Sequence, residues 1–181
     1  MNSQESDFED VLEMARALLG GTEEPRDLWE ANDLASRALR MRPADPEAWI
    51  LKCQIMSAVG DDTASLAAIE MALRRAPKNA EAHYWRATVL SDLERFADAL
   101  RSIDRAFRAL TADDDWLVED LYCEKAAILE ASGRSKDAAR AYRAGLARCP
   151  ESDALKIAAA PIRRHNVRAM LTVLPGGLAS P

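Results

Sequence analysis

A spacing of 34 residues governs this chain. The segment Pro46-Glu-Ala-Trp49 returns as Ala80-Glu-Ala-His83, 34 positions later, and the residues after it keep step. Small residues recur at Cys53 and Ala87, at Ser65 and Ala99, and at Ala72 and Ala106; Ile69 and Ile103 hold the same large apolar place. Another copy runs through Tyr122, Ala126, Ala138, Tyr142 and Gly145, set back by an insertion around residues 111–116. Small residues let two antiparallel helices approach closely, and large ones fill the holes between them. Gly60 and Gly133 stand where the first helix of a pair must stop in a left-handed cap. Pro43, Pro77 and Pro150 close units, because proline cannot continue a second helix. A period of this length predicts a stack of helical hairpins.

In period and in pattern the chain resembles the tetratricopeptide repeat (TPR) family over about residues 8–152. The family's aromatic fourth place holds Trp49, His83 and Tyr122, and its small eighth place holds Cys53, Ala87 and Ala126. The resemblance implies an all-α, right-handed α-solenoid with repeats near 8–45, 46–79, 80–118 and 119–152. The first is irregular: a helix around Phe8, Val11, Leu12, Ala15, Leu18 and Leu19, a Gly20-Gly21 break, a loop around Pro25, then Ala31, Ala35 and Ala38 in a second helix. Residues 153–174 are expected to cap the array, since the last hairpin of a stack leaves a face uncovered, and 175–181 to form a flexible tail. The family's leucine at the seventh place is Lys52, Arg86 and Lys125 here; their aliphatic stems can cover the groove edge with the charge in water.

The bulk numbers suit a folded interaction protein. With 49% apolar and 30% charged residues the chain is not disordered in composition. A net charge of −6, with bases interleaved among acids, argues against a broad nucleic-acid-binding face. No apolar run is long enough for a membrane span, and the acidic start lacks a secretory pattern, so the expected compartment is cytoplasmic. Cys53, Cys123 and Cys149 form no CxxC pair or Cys/His cluster and are expected as free thiols, Cys53 in the core.

In the TPR family the second, fifth, ninth and twelfth places of each first helix face a ligand in a concave groove. The resemblance therefore implies a lining of Glu47, Ile50, Gln54 and Ser57, then Glu81, Tyr84, Thr88 and Ser91, then Asp120, Cys123, Ala127 and Glu130. Those places hold four acids and no base, which suits a basic or neutral protein segment anchored near Ile50 and Tyr84. Repeats of this family that clamp chaperone carboxylate tails use Lys, Arg and Asn there, and this lining cannot supply that charge. Arg163, Arg164 and Arg168 are the one basic stretch in the linear sequence and a possible second contact surface.

No catalytic motif, metal-ligand spacing or phosphate cradle is present in the sequence, so no catalytic residue, cofactor or metal is assigned. His83 falls at a packing place and is expected to be structural, and Asp113, Asp114 and Asp115 read as a solvated loop with a helix N-cap. The expected function is a non-catalytic scaffold or adaptor. A small acidic secretion-type chaperone and a self-assembling oligomer are the alternatives.

Overall fold

The structure, a computed structural model, describes residues 3–21 and 25–159. In that span helices α1 (Ser3–Gly21), α2 (Pro25–Met41), α3 (Pro46–Val59), α4 (Asp62–Arg75), α5 (Ala80–Asp92) and α6 (Phe96–Ala109) come in order. A 3-10 helix (Ala112–Leu117) then leads into α7 (Val118–Ala131), α8 (Ser135–Arg148) and α9 (Asp153–Ala159). The fold is an all-α, solenoid-like arrangement of paired helices. Each odd helix from α1 to α7 packs most extensively on the even helix after it, and each even helix leans on the next odd one.

The curvature follows from who touches whom. Helix α3 contacts both α1 and α5, and α5 contacts α7, while no two even helices pack to a comparable extent. The odd row is therefore the inner, concave side, and the even helices splay apart on the outer side.

Local chemistry sets the helix ends. Asp45, Asp61 and Asn79 each accept a hydrogen bond from a backbone N–H three residues on, at 3.0, 2.9 and 2.7 Å, and so start α3, α4 and α5. Gly60 and Gly133 end the first helices of their pairs at φ of 82° and 78°, as their places required. The intervening hairpin makes the same turn with Glu94, at φ 57°.

Four clusters of buried side chains run through the stack, each joining a hairpin to a neighbouring helix. The small places are sealed: Cys53, Ser65, Ala72, Ala87, Ala99, Ala106, Ala126 and Ala138 have no exposed surface. Ile69 and Ile103 fill the spaces those residues leave, and truncating either to alanine would cost about 2–5 kcal/mol.

Three expectations change at the edges. Helix α1 begins at Ser3, ahead of the boundary at residue 8, and Pro25 is the first residue of α2 rather than part of a loop. Proline suits that place because its missing N–H has no partner in a first helical turn. The insertion is a 3-10 helix rather than an open loop, because the Asp114 carboxylate accepts from both the backbone N–H and the hydroxyl of Thr111, at 2.8 and 2.7 Å. At the far end Ser152 starts α9, and Leu155, fully buried, closes the last cluster. The expected cap beyond residue 159, with Arg163, Arg164, Arg168 and the tail at 175–181, lies outside the described residues.

Candidate protein-interaction groove

Four of the twelve lining positions converge at one point of the inner row. Glu47, Ile50, Gln54 and Glu81 surround a pocket of about 40 Å³ together with Leu51 and Arg16. The Gln54 side-chain amide donates to Glu81 Oε1 at 3.3 Å, and the Trp85 indole N–H donates to the same oxygen at 3.3 Å. Arg16 reaches across from α1 to Glu47 at 2.9 Å, so the wall that reads as acids without a base does gain one from the irregular first repeat. Both partners are more than half exposed, and such a pair is worth little to stability. Ile50 is only 3% exposed and packs with Cys53 and Ile69, which makes it core more than anchor.

Further along, the inner row carries acids outside any ion pair. Among the described residues Glu81, Asp92, Asp120 and Glu124 form no ion pair. Burial raises the Glu124 carboxyl to about 7, with Asp92 adding repulsion. Asp92 itself is raised by burial and then by Asp62. Burial, then Glu119, raises Asp120, and burial is the main cause at Glu81 as well. Tyr84 stands among them, edge-on to Trp85 with ring centroids 5.3 Å apart. Burial pushes its hydroxyl up to about 12, with Glu124 and Asp120 contributing. Cys123 is raised in the same way, by burial and then by Glu119 and Asp120. Thr88 is half-buried and turns its hydroxyl back to the Tyr84 carbonyl at 3.4 Å.

The remaining positions are less informative. Ser57 and Ser91 are half-buried, and Ala127 and Glu130 are exposed. Glu130 also lies against Tyr142 of α8, whose hydroxyl is raised by burial and then by that carboxylate. Glu124, Asp92 and Arg16 are the inner-row residues that the pattern missed. Glu124 occupies the sixth place, which is Leu51 and Trp85 in the preceding units. A carboxylate where its equivalents are apolar is the signal that would have found it.

The seventh-place bases turn out to be latches between helices. Lys52 donates to Asn32 and to Ser36 Oγ, the latter at 2.8 Å, both on α2. Arg86 donates to Ser102 Oγ at 2.8 Å and stands 3.7 Å from Glu70. Lys125 meets Asp104 of α6 at 2.9 Å and lies over the Phe107 ring. Each ties a first helix to a neighbouring second helix, so these charges are engaged rather than left in water.

His83 is buried, and its Nε2 lies 2.9 Å from the Pro77 carbonyl oxygen. No carboxylate orients it, as a general base would need. Cys53 is raised to about 11 by burial and is bonded to Ser65, which is the environment of an inert thiol. All three cysteines are free. Among the described residues no three His, Cys, Asp or Glu side chains gather as a metal site, and no helix is long and apolar enough to cross a membrane.

No family model matches the sequence, and neither does any curated protein. Solved structures do share the fold. A thermophilic TPR protein of Thermus thermophilus is similar with a TM-score of 0.73 at 20% identity, over 86% of this chain and 81% of that one. MamA is similar with a TM-score of 0.64 at 13% identity, over 81% of this chain and 75% of that one. A MamA RS-1 double mutant gives 0.63 at 18% identity, over 84% and 79%. At these identities the likeness establishes a helical-repeat fold, an architecture consistent with a protein-interaction scaffold.

Proposed function

We propose that the chain is a TPR-type scaffold of four hairpins that binds a basic or neutral protein segment in the groove along α3, α5 and α7. One observation carries this reading: Asp92, Asp120 and Glu124 lie around Tyr84, partly desolvated and with no ion-pair partner among the described residues, while Glu81 has only Arg16 nearby, which is already paired with Glu47. Assembling like charges in a partly dry wall costs free energy, and a partner's Lys or Arg would relieve it. Tyr84 and Trp85 supply the aromatic surface beside those acids, a composition typical of binding surfaces that use few residues for most of the affinity. His83, whose Nε2 meets the Pro77 carbonyl oxygen, serves the hairpin packing in this reading.

The test is a pull-down from native extract with wild type and with a variant in which Glu47, Glu81 and Asp120 are changed to Lys. Peptide binding against ionic strength accompanies it. Proteins lost only in the variant, together with salt-sensitive binding of a basic peptide, are expected. Identical catches from both proteins, or a basic peptide that binds the variant as well as wild type, would sink the reading.

A further inference from the structure

The splaying of the even helices leaves two related gaps on the outer side, and they differ in charge. One lies between α4 and α6 over α5, with a volume of about 770 Å³. The other lies between α6 and α8 over α7, with about 420 Å³. In the smaller gap every base has an acid partner, three bases to two acids: Lys125 pairs with Asp104 at 2.9 Å, Arg134 with Asp137 at 2.8 Å, and Arg140 with the same Asp137. In the larger one Arg74, Lys78, Arg86, Arg105 and Arg108 face a single acid, Glu70. That acid stands 3.7 Å from Arg86. Among the described residues Lys78, Arg105 and Arg108 have no ion-pair partner at all.

Part of this charge has an ordinary structural reason. Arg74 and Arg108 sit in the last turns of α4 and α6, where a cation complements the helix dipole. Lys78 lies beyond α4, Arg86 in mid-helix, and Arg105 a turn earlier, so the dipole does not account for them. The field they make is felt by His83, which lines the same cleft. Burial holds its imidazole below the ordinary range, and Arg105, Arg86 and Arg108 lower it further against the Pro77 hydrogen bond. The net charge of −6 conceals this patch because its members are scattered along the sequence and meet only in the stack.

We infer that the cleft between α4 and α6 is a second docking site, which takes an acidic peptide segment of a partner protein. Charge complementarity selects the sign, and the walls select the class. Leu73, Pro77 and Ala109 lie between the cationic groups, so an occupant with apolar side chains among its carboxylates fits better than a bare anion. Guanidinium forks match carboxylates in shape. The features of a compact phosphate cradle are missing here: α4 and α6 present their carboxyl ends, and the start of α5 is already capped by Asn79. This site is distinct from the inner groove and does not rest on the proposal made for it.

The experiment is fluorescence anisotropy on the full chain with a labelled octapeptide of glutamate and leucine, and with its lysine counterpart. Arg105→Glu with Arg108→Glu removes two cations from the cleft, and Arg37→Glu with Arg143→Glu makes the same charge change elsewhere. Circular dichroism melts confirm that each variant folds. The acidic peptide should bind wild type and the Arg37/Arg143 variant alike, weaken with salt, and lose about tenfold or more in affinity on the Arg105/Arg108 variant. Equal loss in both variants, no loss in either, or no binding at low salt would overturn the proposal. So would equal binding of the lysine peptide. Inorganic phosphate that displaces the peptide at a concentration below the peptide's own Kd would overturn the peptide assignment in favour of a small-anion site.

Discussion

His83 Nε2 lies 2.9 Å from the carbonyl oxygen of Pro77, which repeats the contact that Trp49 Nε1 makes with the Pro43 carbonyl at 2.9 Å one unit earlier. A ring N–H at the fourth place thus ties the start of each of these hairpins to the proline that closed the unit before. Tyr122 has no such proline and packs on Phe107 instead, with ring centroids 4.8 Å apart. A carbonyl can only accept, so His83 carries its proton on Nε2, and its buried Nδ1 is left without a partner.

That arrangement makes the fold sensitive to acid at one position. Burial, with help from three arginines, holds the folded pKa of His83 below its ordinary value of 6.5. The unfolded chain therefore takes up the proton first as pH falls. The contribution is present above about pH 6.5 and is lost as pH drops through the lowered folded value. Urea melts at pH 7.5 and 5.5 should show a larger loss for wild type than for His83→Gln. An equal pH response in the two proteins would show that His83 is not the group.

Which parts of this were legible in the sequence depends on what periodicity can encode. Cys53, Ala87 and Ala126 had to be small because helices meet there, and all three are fully buried. Gly60 and Gly133 had to turn left-handed, and they do. Periodicity says nothing about charges that come together from different helices. Arg16 against Glu47, Glu124 against Asp92, and the cleft shared by Arg74, Arg86 and Arg105 are all products of stacking. The burial of Ile50 was hidden for a related reason: its place allows groove or core, and packing against Ile69 and Cys53 leaves it 3% exposed.

Glu94 offers a stabilising change. It turns at φ 57° where its equivalents Gly60 and Gly133 stand at 82° and 78°. A left-handed turn costs a residue with a Cβ about 1–2 kcal/mol, part of which glycine returns as unfolded-state entropy. Glu94→Gly is expected to stabilise the fold by up to about 1 kcal/mol in denaturant melts, and Gly133→Ala to destabilise it by a similar amount. A destabilised Glu94→Gly protein would mean that the Glu94 side chain makes a contribution the turn geometry does not reveal.

Gly145 carries the opposite constraint. A Cβ built there would meet the Tyr122 Cβ at 2.8 Å and both methyls of Leu155 at 3.0 Å. The methyls can yield, but a neighbour's Cβ is fixed to its backbone. Gly145→Ala should gain helix propensity of about 1 kcal/mol and still lose about 1–2 kcal/mol net through overpacking. Loss should concentrate where α9 docks, so amide exchange in Asp153–Ala159 is expected to rise before that in α3 or α5. Uniform acceleration across the chain would place the strain elsewhere.

Glu124 works against His83 in the pH profile, and separating the two is the sharper test of the inner groove. Burial beside Asp92 raises its carboxyl from 4.5 to about 7. Here the folded state holds the proton more tightly, so the stabilising contribution is complete below about pH 4.5 and is lost as pH rises through about 7. Above that pH the groove wall carries a charge it would rather not hold. Glu124→Gln should therefore stabilise the free protein at pH 8 by about 1–2 kcal/mol, allowing for solvent screening, and change little at pH 4.5. The same substitution removes a cation's reason to enter the groove, so it should weaken binding of a basic peptide at pH 8 while it raises the melting temperature. A variant that gains stability and keeps full affinity would leave Glu124 a strained residue of the wall and take it out of the binding surface. One that loses both would make it a structural support whose packing matters more than its charge.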